Sequence, residues 1–249
     1  MVGLFDSGSG GLNTARRVKD LADDVDLVYL IDRKNAPYGT KSEEDLISIA
    51  EANIQRLADM GAETVLIACC TASTVHARLG RKYRQISVPI IEKAAKAAQK
   101  ATRSRRIGVI ATKRTTDSHA FSAALSSCFV SELAIGELVG LIDGGLSDST
   151  ATNEDKARIE NMLRPVLTAN IDTLVLGCTH YPFAAEAISR ILGENVKLLD
   201  GGDGTARETR RRLEKAGLLE EGCGEVMIIN SAEDPEMIRI SYELLNQGR

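Results

Sequence analysis

No stretch of this 249-residue chain approaches the roughly 20 consecutive apolar residues that a membrane-spanning helix requires. There is no basic run or tail either, and 31 Lys and Arg against 35 Asp and Glu leave a net charge of −4. Nucleic acid and anionic membrane are therefore poor partners. No CxxC pair occurs, and only His76, His119 and His180 could join a metal site, so no zinc or other metal is expected. Five cysteines are an odd number and do not suggest a disulfide framework. Free thiols in a reducing, cytoplasmic setting are the natural expectation. The opening Met1-Val-Gly-Leu-Phe5 reads as immediate entry into a strand, which predicts a protein without a signal peptide.

What the chain does have is alternation. Short β-rich apolar runs occur at Val2–Phe5, Leu27–Ile31, Thr64–Ala68, Val88–Ile91, Ile107–Ile110, Thr173–Leu176, Val196–Leu199 and Val226–Ile229. Between them lie segments such as Glu43–Met60, Glu154–Thr168 and Asp203–Ala216, whose apolar residues recur every three or four positions. That period belongs to amphipathic helices, and strand–helix alternation predicts βαβ units with mostly parallel sheets. The polar stretch Ser147–Asn153 reads as a surface loop.

The chain also repeats itself. Glu63-Thr-Val-Leu-Ile-Ala-Cys69 matches Asp172-Thr-Leu-Val-Leu-Gly-Cys178, and Val2-Gly-Leu-Phe5 matches Ile107-Gly-Val-Ile110. Val88–Glu92 aligns with Val196–Asp200 in the same order. Two pseudosymmetric α/β lobes follow, each a mostly parallel sheet flanked by helices, with the active site expected between them. The second lobe is predicted over residues 93–205, and the first over 1–92 plus 206–249.

Ligands of parallel α/β sheets gather at the carboxyl ends of strands, and both matched cysteines stand there. Thr71 and Ser73 after Cys69 are candidate helix caps, and Pro182 after Cys178 suits a first helical turn. A helix N-terminus at each cysteine would favour its thiolate. Cys128 and Cys223 read instead as small packed side chains. The turn Asp6-Ser-Gly-Ser-Gly-Gly11 fits neither a dinucleotide fingerprint nor a P-loop, because Asn13 stands where the last glycine is needed and no Gly-Lys-Ser/Thr follows. Its backbone N–H groups could hold a small carboxylate, and Asp6 could assist a base. Ala36–Ser42 reads as a turn with Ser42 as a cap, and His180 as a proton relay or substrate-binding group. Inverting a stereocentre needs a base on one face of a carbon acid and an acid on the other. One thiol per lobe supplies such a pair.

The blocks Asp6-Ser-Gly-Ser-Gly-Gly11, Pro37-Tyr-Gly-Thr-Lys-Ser42, Ala68-Cys-Cys-Thr-Ala-Ser73 and Leu176-Gly-Cys-Thr-His-Tyr-Pro182 resemble, in this order, those of bacterial glutamate racemases. Thr112–Ser118 resembles a further block. The resemblance implies cofactor- and metal-independent interconversion of L- and D-glutamate, with the D-form made for peptidoglycan, and commonly a homodimer. It assigns Cys69 and Cys178 as the catalytic thiols, the first serving D-glutamate and the second L-glutamate. Asp6 and His180 resemble the groups assisting them. Ser7, Tyr38, Gly39, Cys70, Thr71, Thr115 and Thr179 fall at substrate-contact positions. The chain departs from the family at Cys70, where the family has Asn, and at Gly140 and Asp143, where Pro and Glu are usual.

Two other readings compete. A racemase or decarboxylase of the same superfamily acting on aspartate or another small carbon acid would keep the lobe design. A redox or binding protein could use Cys69-Cys70 as a thiol switch, but this leaves the matched Cys178-Thr179-His180 unexplained.

Overall fold

The computed structural model describes residues 1–219, 222–232 and 234–246. It divides into two compact units, Met1–Ile90 with Gly202–Arg249, and Ile91–Gly201.

The first unit is built on a parallel sheet of five strands: β1 (Val2–Asp6), β2 (Leu27–Ile31), β3 (Thr64–Ile67), β4 (Ser87–Pro89) and, late in the chain, β9 (Val226–Asn230). Their order is β4-β3-β1-β2-β9. β1 and β2 are buried along their whole length, because helices cover both faces. Alternate residues divide between two cores. Val2, Leu4, Leu27, Tyr29 and Ile31 pack with Leu12, Ala15 and Val18 of helix Leu12–Leu21 and with Ala206 and Leu213 of helix Gly202–Ala216. Phe5, Val28, Leu30, Val65 and Ile67 pack with Leu46, Ala50, Ile54 and Leu57 of helix Glu43–Asp59. Ser42 caps that helix by accepting from the Asp45 amide at 3.1 Å.

The second unit has four parallel strands, β5 (Arg106–Ala111), β6 (Phe129–Ala134), β7 (Thr173–Gly177) and β8 (Lys197–Leu199), in the order β6-β5-β7-β8. Ile110, Leu174 and Leu176 pack with Ile159, Leu163 and Val166 of helix Asn153–Leu167. Thr152 and Asp155 close a capping box at the start of that helix.

The two sheets have the same design. Setting β1 to β4 against β5 to β8 turns β4-β3-β1-β2 into β8-β7-β5-β6. Register agrees as well: Val2 pairs with Thr64 and Ile107 with Thr173, as the first two sequence matches require. The third match is displaced. Leu66 pairs with Val88 and its counterpart Val175 with Leu199, so Val88 corresponds to Leu199 rather than Val196. In such short apolar edge strands, hydrophobic pattern alone cannot set the register.

Gly3 and Gly108 are another matched pair. A Cβ on Gly3 would come within 3.0 Å of Ala62 and Leu57. One on Gly108 would lie 2.7–2.9 Å from Ile171, Leu174 and Val166. Each glycine admits the end of the helix that precedes a cysteine-bearing strand.

β6 was not among the expected strands. It is a half-exposed edge carrying Ser131 and Glu132, so its apolar signal is weak. The loop expected over Ser147–Asn153 is present as far as Thr152, with Ser147 bonded to Ser149 and to Thr150, and Asn153 opens the next helix.

Candidate active site

In the first unit, β1 delivers Asp6 fully buried at its carboxyl end. One carboxylate oxygen accepts from the Gly8 amide at 2.9 Å, and the Tyr29 hydroxyl donates to the Gly8 carbonyl. A Cβ on Gly11 would lie 2.9 Å from both Asp6 Cβ and Tyr29 Oη. Gly11 is thus explained by close packing onto Asp6.

β3 leads to Cys69, which is buried, and the Ser7 hydroxyl lies 3.8 Å from its Sγ. Cys69 itself takes the N-cap position of a four-residue helix, Cys70–Ser73. Thr71 and Ser73 lie inside that helix and do not cap it. One turn aligns few peptide dipoles, so the helix contributes less to a Cys69 thiolate than a long helix would. Cys70 and Thr71 are both buried beside Cys69 in sequence.

Tyr38 and Gly39 form a 3-10 turn, Tyr38–Thr40. The Tyr38 phenol points into the protein and donates to Asp32 at 2.6 Å. Burial, followed by the Asp32 charge and this hydrogen bond, holds Tyr38 far above the usual phenol range. Tyr29 is also raised, by burial and then by Asp6. Both phenols therefore remain neutral donors. Burial would raise Asp32, but bonds from Tyr38, Asn53, Asn35 and Ser231 outweigh it and lower its pKa.

In the second unit, β7 leads to Cys178, whose Sγ lies 3.8 Å from His180 Nδ1. The other ring nitrogen, Nε2, lies 3.3 Å from Asp143 Oδ1 at the end of helix Glu137–Asp143. Cys178, His180 and Asp143 thus form a short relay that can pass a proton to or from sulfur and orient the ring. Tyr181, fully buried, fixes the following turn by donating to the Ile135 carbonyl at 3.1 Å. Pro182 lies in the first turn of the 3-10 helix Tyr181–Ala184, as its position suggests. Thr179 is buried, as is Thr115, whose hydroxyl lies 2.9 Å from that of Thr112.

The structure therefore brings Ser7 to Cys69 and His180 to Cys178. It also gives His180 a partner in Asp143, named above only as a departure from the family, and Tyr38 a partner in Asp32. Cys223 is exposed and Cys128 half-buried, not packed as expected, because both lie in loops and not under a helix. Among the described residues, no group of three or more His, Cys, Asp and Glu side chains is placed to hold a metal ion. No helix among them is long and apolar enough to cross a membrane.

The Asp/Glu/Hydantoin racemase family model matches residues 12–209, which span both units. The chain belongs to that family. It is an enzyme, an isomerase. A glutamate racemase of Desulforudis audaxviator is 38% identical over 228 residues, covering 90% of this chain and 82% of that protein. The crystal structure of a glutamate racemase from Bacillus anthracis matches this racemase fold with a TM-score of 0.89 at 26% identity, over 98% of this chain and 93% of that one. A glutamate racemase from Francisella tularensis, solved in complex with D-glutamate, matches at 0.87 and 26% identity, over 100% and 94%.

Proposed function

We propose that this enzyme racemizes glutamate without a cofactor, using Cys69 and Cys178 as the two proton-transfer groups. The observation that carries this reading is the equivalence of the thiols. Each stands five residues beyond a matched threonine, Thr64 or Thr173, at the end of a matched strand. Relatives named glutamate racemase, and a D-glutamate complex of one of them, support glutamate as the substrate.

The step requires one thiolate to take the α-proton, leaving the electron pair on the α-carbon in conjugation with the carboxylate. The opposite thiol then gives its proton to the other face of that carbon. The net result is inversion, with the thiol and thiolate exchanged. A free thiol is only a few per cent ionised near neutrality, so each sulfur needs a proton-handling neighbour. His180, oriented by Asp143, serves Cys178, and Asp6 serves Cys69. Cys69 deprotonates D-glutamate and Cys178 deprotonates L-glutamate. Ser7, Tyr38, Gly39, Cys70, Thr71, Thr115 and Thr179 hold the amino acid. The D-glutamate formed supplies peptidoglycan, and the enzyme works as a homodimer.

Incubating the protein in D₂O with each amino acid in turn tests the reading. Deuterium should enter the α-position of glutamate from either enantiomer, without CO₂ release. Exchange of aspartate in preference to glutamate would overturn the substrate, and CO₂ release would overturn the reaction.

A further inference from the structure

The carboxylate of Asp32 is one of the most heavily bonded groups in the molecule. The residue is 1% exposed and directly follows β2. Its Oδ2 accepts from the Tyr38 hydroxyl at 2.6 Å and from Asn53 Nδ2 at 2.9 Å. Its Oδ1 accepts from the Ser231 hydroxyl at 2.7 Å, and Asn35 Nδ2 reaches both oxygens at 3.1 and 2.9 Å. Asn53 also donates to the Tyr38 oxygen at 3.0 Å, closing a triangle. These donors come from the turn after β2, from helix Glu43–Asp59 and from the residue after β9.

The fold does not need a carboxylate at this position, as the other lobe demonstrates. The Asp32 amide extends the sheet by donating to the Asp6 carbonyl at 2.8 Å. In the second unit the equivalent bond runs from the Ile135 amide to the Ala111 carbonyl at 2.9 Å. Ile135 is an ordinary core residue there. The same backbone geometry thus carries a buried isoleucine in one lobe and a buried, multiply bonded anion in the other. Only the lobe with the anion has the turn containing Pro37-Tyr38-Gly39.

We propose that Asp32 is a positioning residue that fixes the Pro37-Tyr38-Gly39 segment in its glutamate-binding shape. The inference rests on the proposed function, in which this segment contacts substrate. The Tyr38 phenol is committed to Asp32 and Asn53, so it serves as an anchor, and the segment meets the amino acid through its backbone. Asn53 and Ser231 brace the carboxylate from opposite sides.

Asp32→Asn keeps the shape but turns one acceptor oxygen into a donor. Either Tyr38 and Asn53 or Ser231 then faces an N–H group where it needs an acceptor. A segment that binds ground state and transition state alike should affect KM and leave kcat nearly unchanged. The expected result is a rise of about tenfold in KM in both directions, with kcat within about threefold of the parent. Tyr38→Phe should raise KM too, and the double variant should be no worse than the stronger single one. Asp172→Asn is the control. That carboxylate in the other unit accepts from Thr102 at 2.6 Å and from the Arg103 and Ser104 amides at 2.7 and 2.6 Å. It should lower thermal stability without moving KM. Should Asp32→Asn fail to fold, Ser231→Ala removes one donor only and should still raise KM about twofold to threefold. An unchanged KM in a folded Asp32→Asn or Ser231→Ala protein, or additive effects of Asp32→Asn and Tyr38→Phe, would overturn the proposal. Failure of the glutamate reading would appear in the parent protein, as absent glutamate exchange. Failure of the positioning role would appear only in the variants, measured on whichever amino acid the parent turns over.

Discussion

The two lobes repeat one sheet design and differ in the polar residues placed on it. Strand order, register, the close-packing glycines Gly3 and Gly108, and the strand-end cysteines all correspond. The polar residues around them do not. Asp6 corresponds to Ala111, Asp32 to Ile135 and Thr71 to His180, counting from the matched strands. In the first lobe, a buried carboxylate, Asp6, stands at the end of β1. In the second, an imidazole stands two residues beyond the thiol, backed by Asp143. Sheet geometry holds a strand-end position in common between the lobes, because ladder hydrogen bonds dictate where each strand ends. Ladder pairing does not dictate which side chain a position carries, and here the lobes differ, within the strand at Asp6 and Ala111 and beyond it at Asp32 and Ile135. On the proposed function, equivalent thiols serve the two directions of one reaction through different polar neighbours.

The sharpest way to break the comparison is at the thiols. Cys69→Ala and Cys178→Ala should each lower racemization by about a thousandfold or more, since each removes the proton-transfer group for one face. Cys128→Ala and Cys223→Ala should remain near the parent, with all four followed by circular dichroism of the product. Substantial turnover by either site variant would mean that the lobes are not functionally paired. Next in size is the glycine pair. Gly3→Ala and Gly108→Ala should each cost roughly 1–3 kcal/mol of stability through overpacking, read from denaturant midpoints. A neutral result at only one of them would show that the helices do not pack equally closely in the two lobes.

A smaller difference should appear just after each thiol, where Cys70 corresponds to Thr179 of the other lobe. A thiol is a weak hydrogen-bond donor, and a good bond to a charged group contributes about 1.5–3 kcal/mol. Cys70→Asn is therefore expected to raise kcat/KM for glutamate about tenfold, and Thr179→Val to lower it, in steady-state assays. No gain in Cys70→Asn would mean that the first lobe binds substrate adequately without an amide there. The smallest effect belongs to the relay. Asp143 is 44% exposed at its side chain, so losing its charge in Asp143→Asn should change rates by no more than about fivefold. Because racemization has an equilibrium constant of one, kcat/KM must fall equally in both directions. The asymmetry should therefore appear in kcat and KM separately, and in the opposite sense from Asp6→Asn. Matching profiles for these two variants would remove the distinction between the helpers.

Much of this was readable in the chain. Alternating apolar runs specify parallel strands and covering helices, because a strand buried on both faces must be apolar throughout while a surface helix needs only a stripe. The internal repeat specified two lobes with a cysteine at the same strand end in each, since both features are local in sequence. Contacts made across long sequence separations were not readable. β6 was hidden because an edge strand can carry Ser131 and Glu132 without burying them. Asp143 lies 37 positions before His180, and Ser231 lies 199 beyond Asp32. Neither pair has a spacing that a sequence pattern could reveal. The family resemblance put Tyr38 at a substrate-contact position, but no local pattern showed that its phenol turns inward onto a buried carboxylate. Local periodicity determines which residues face a core. Which polar group meets which is decided only when the chain closes, because a buried charge must find its donors wherever the fold brings them.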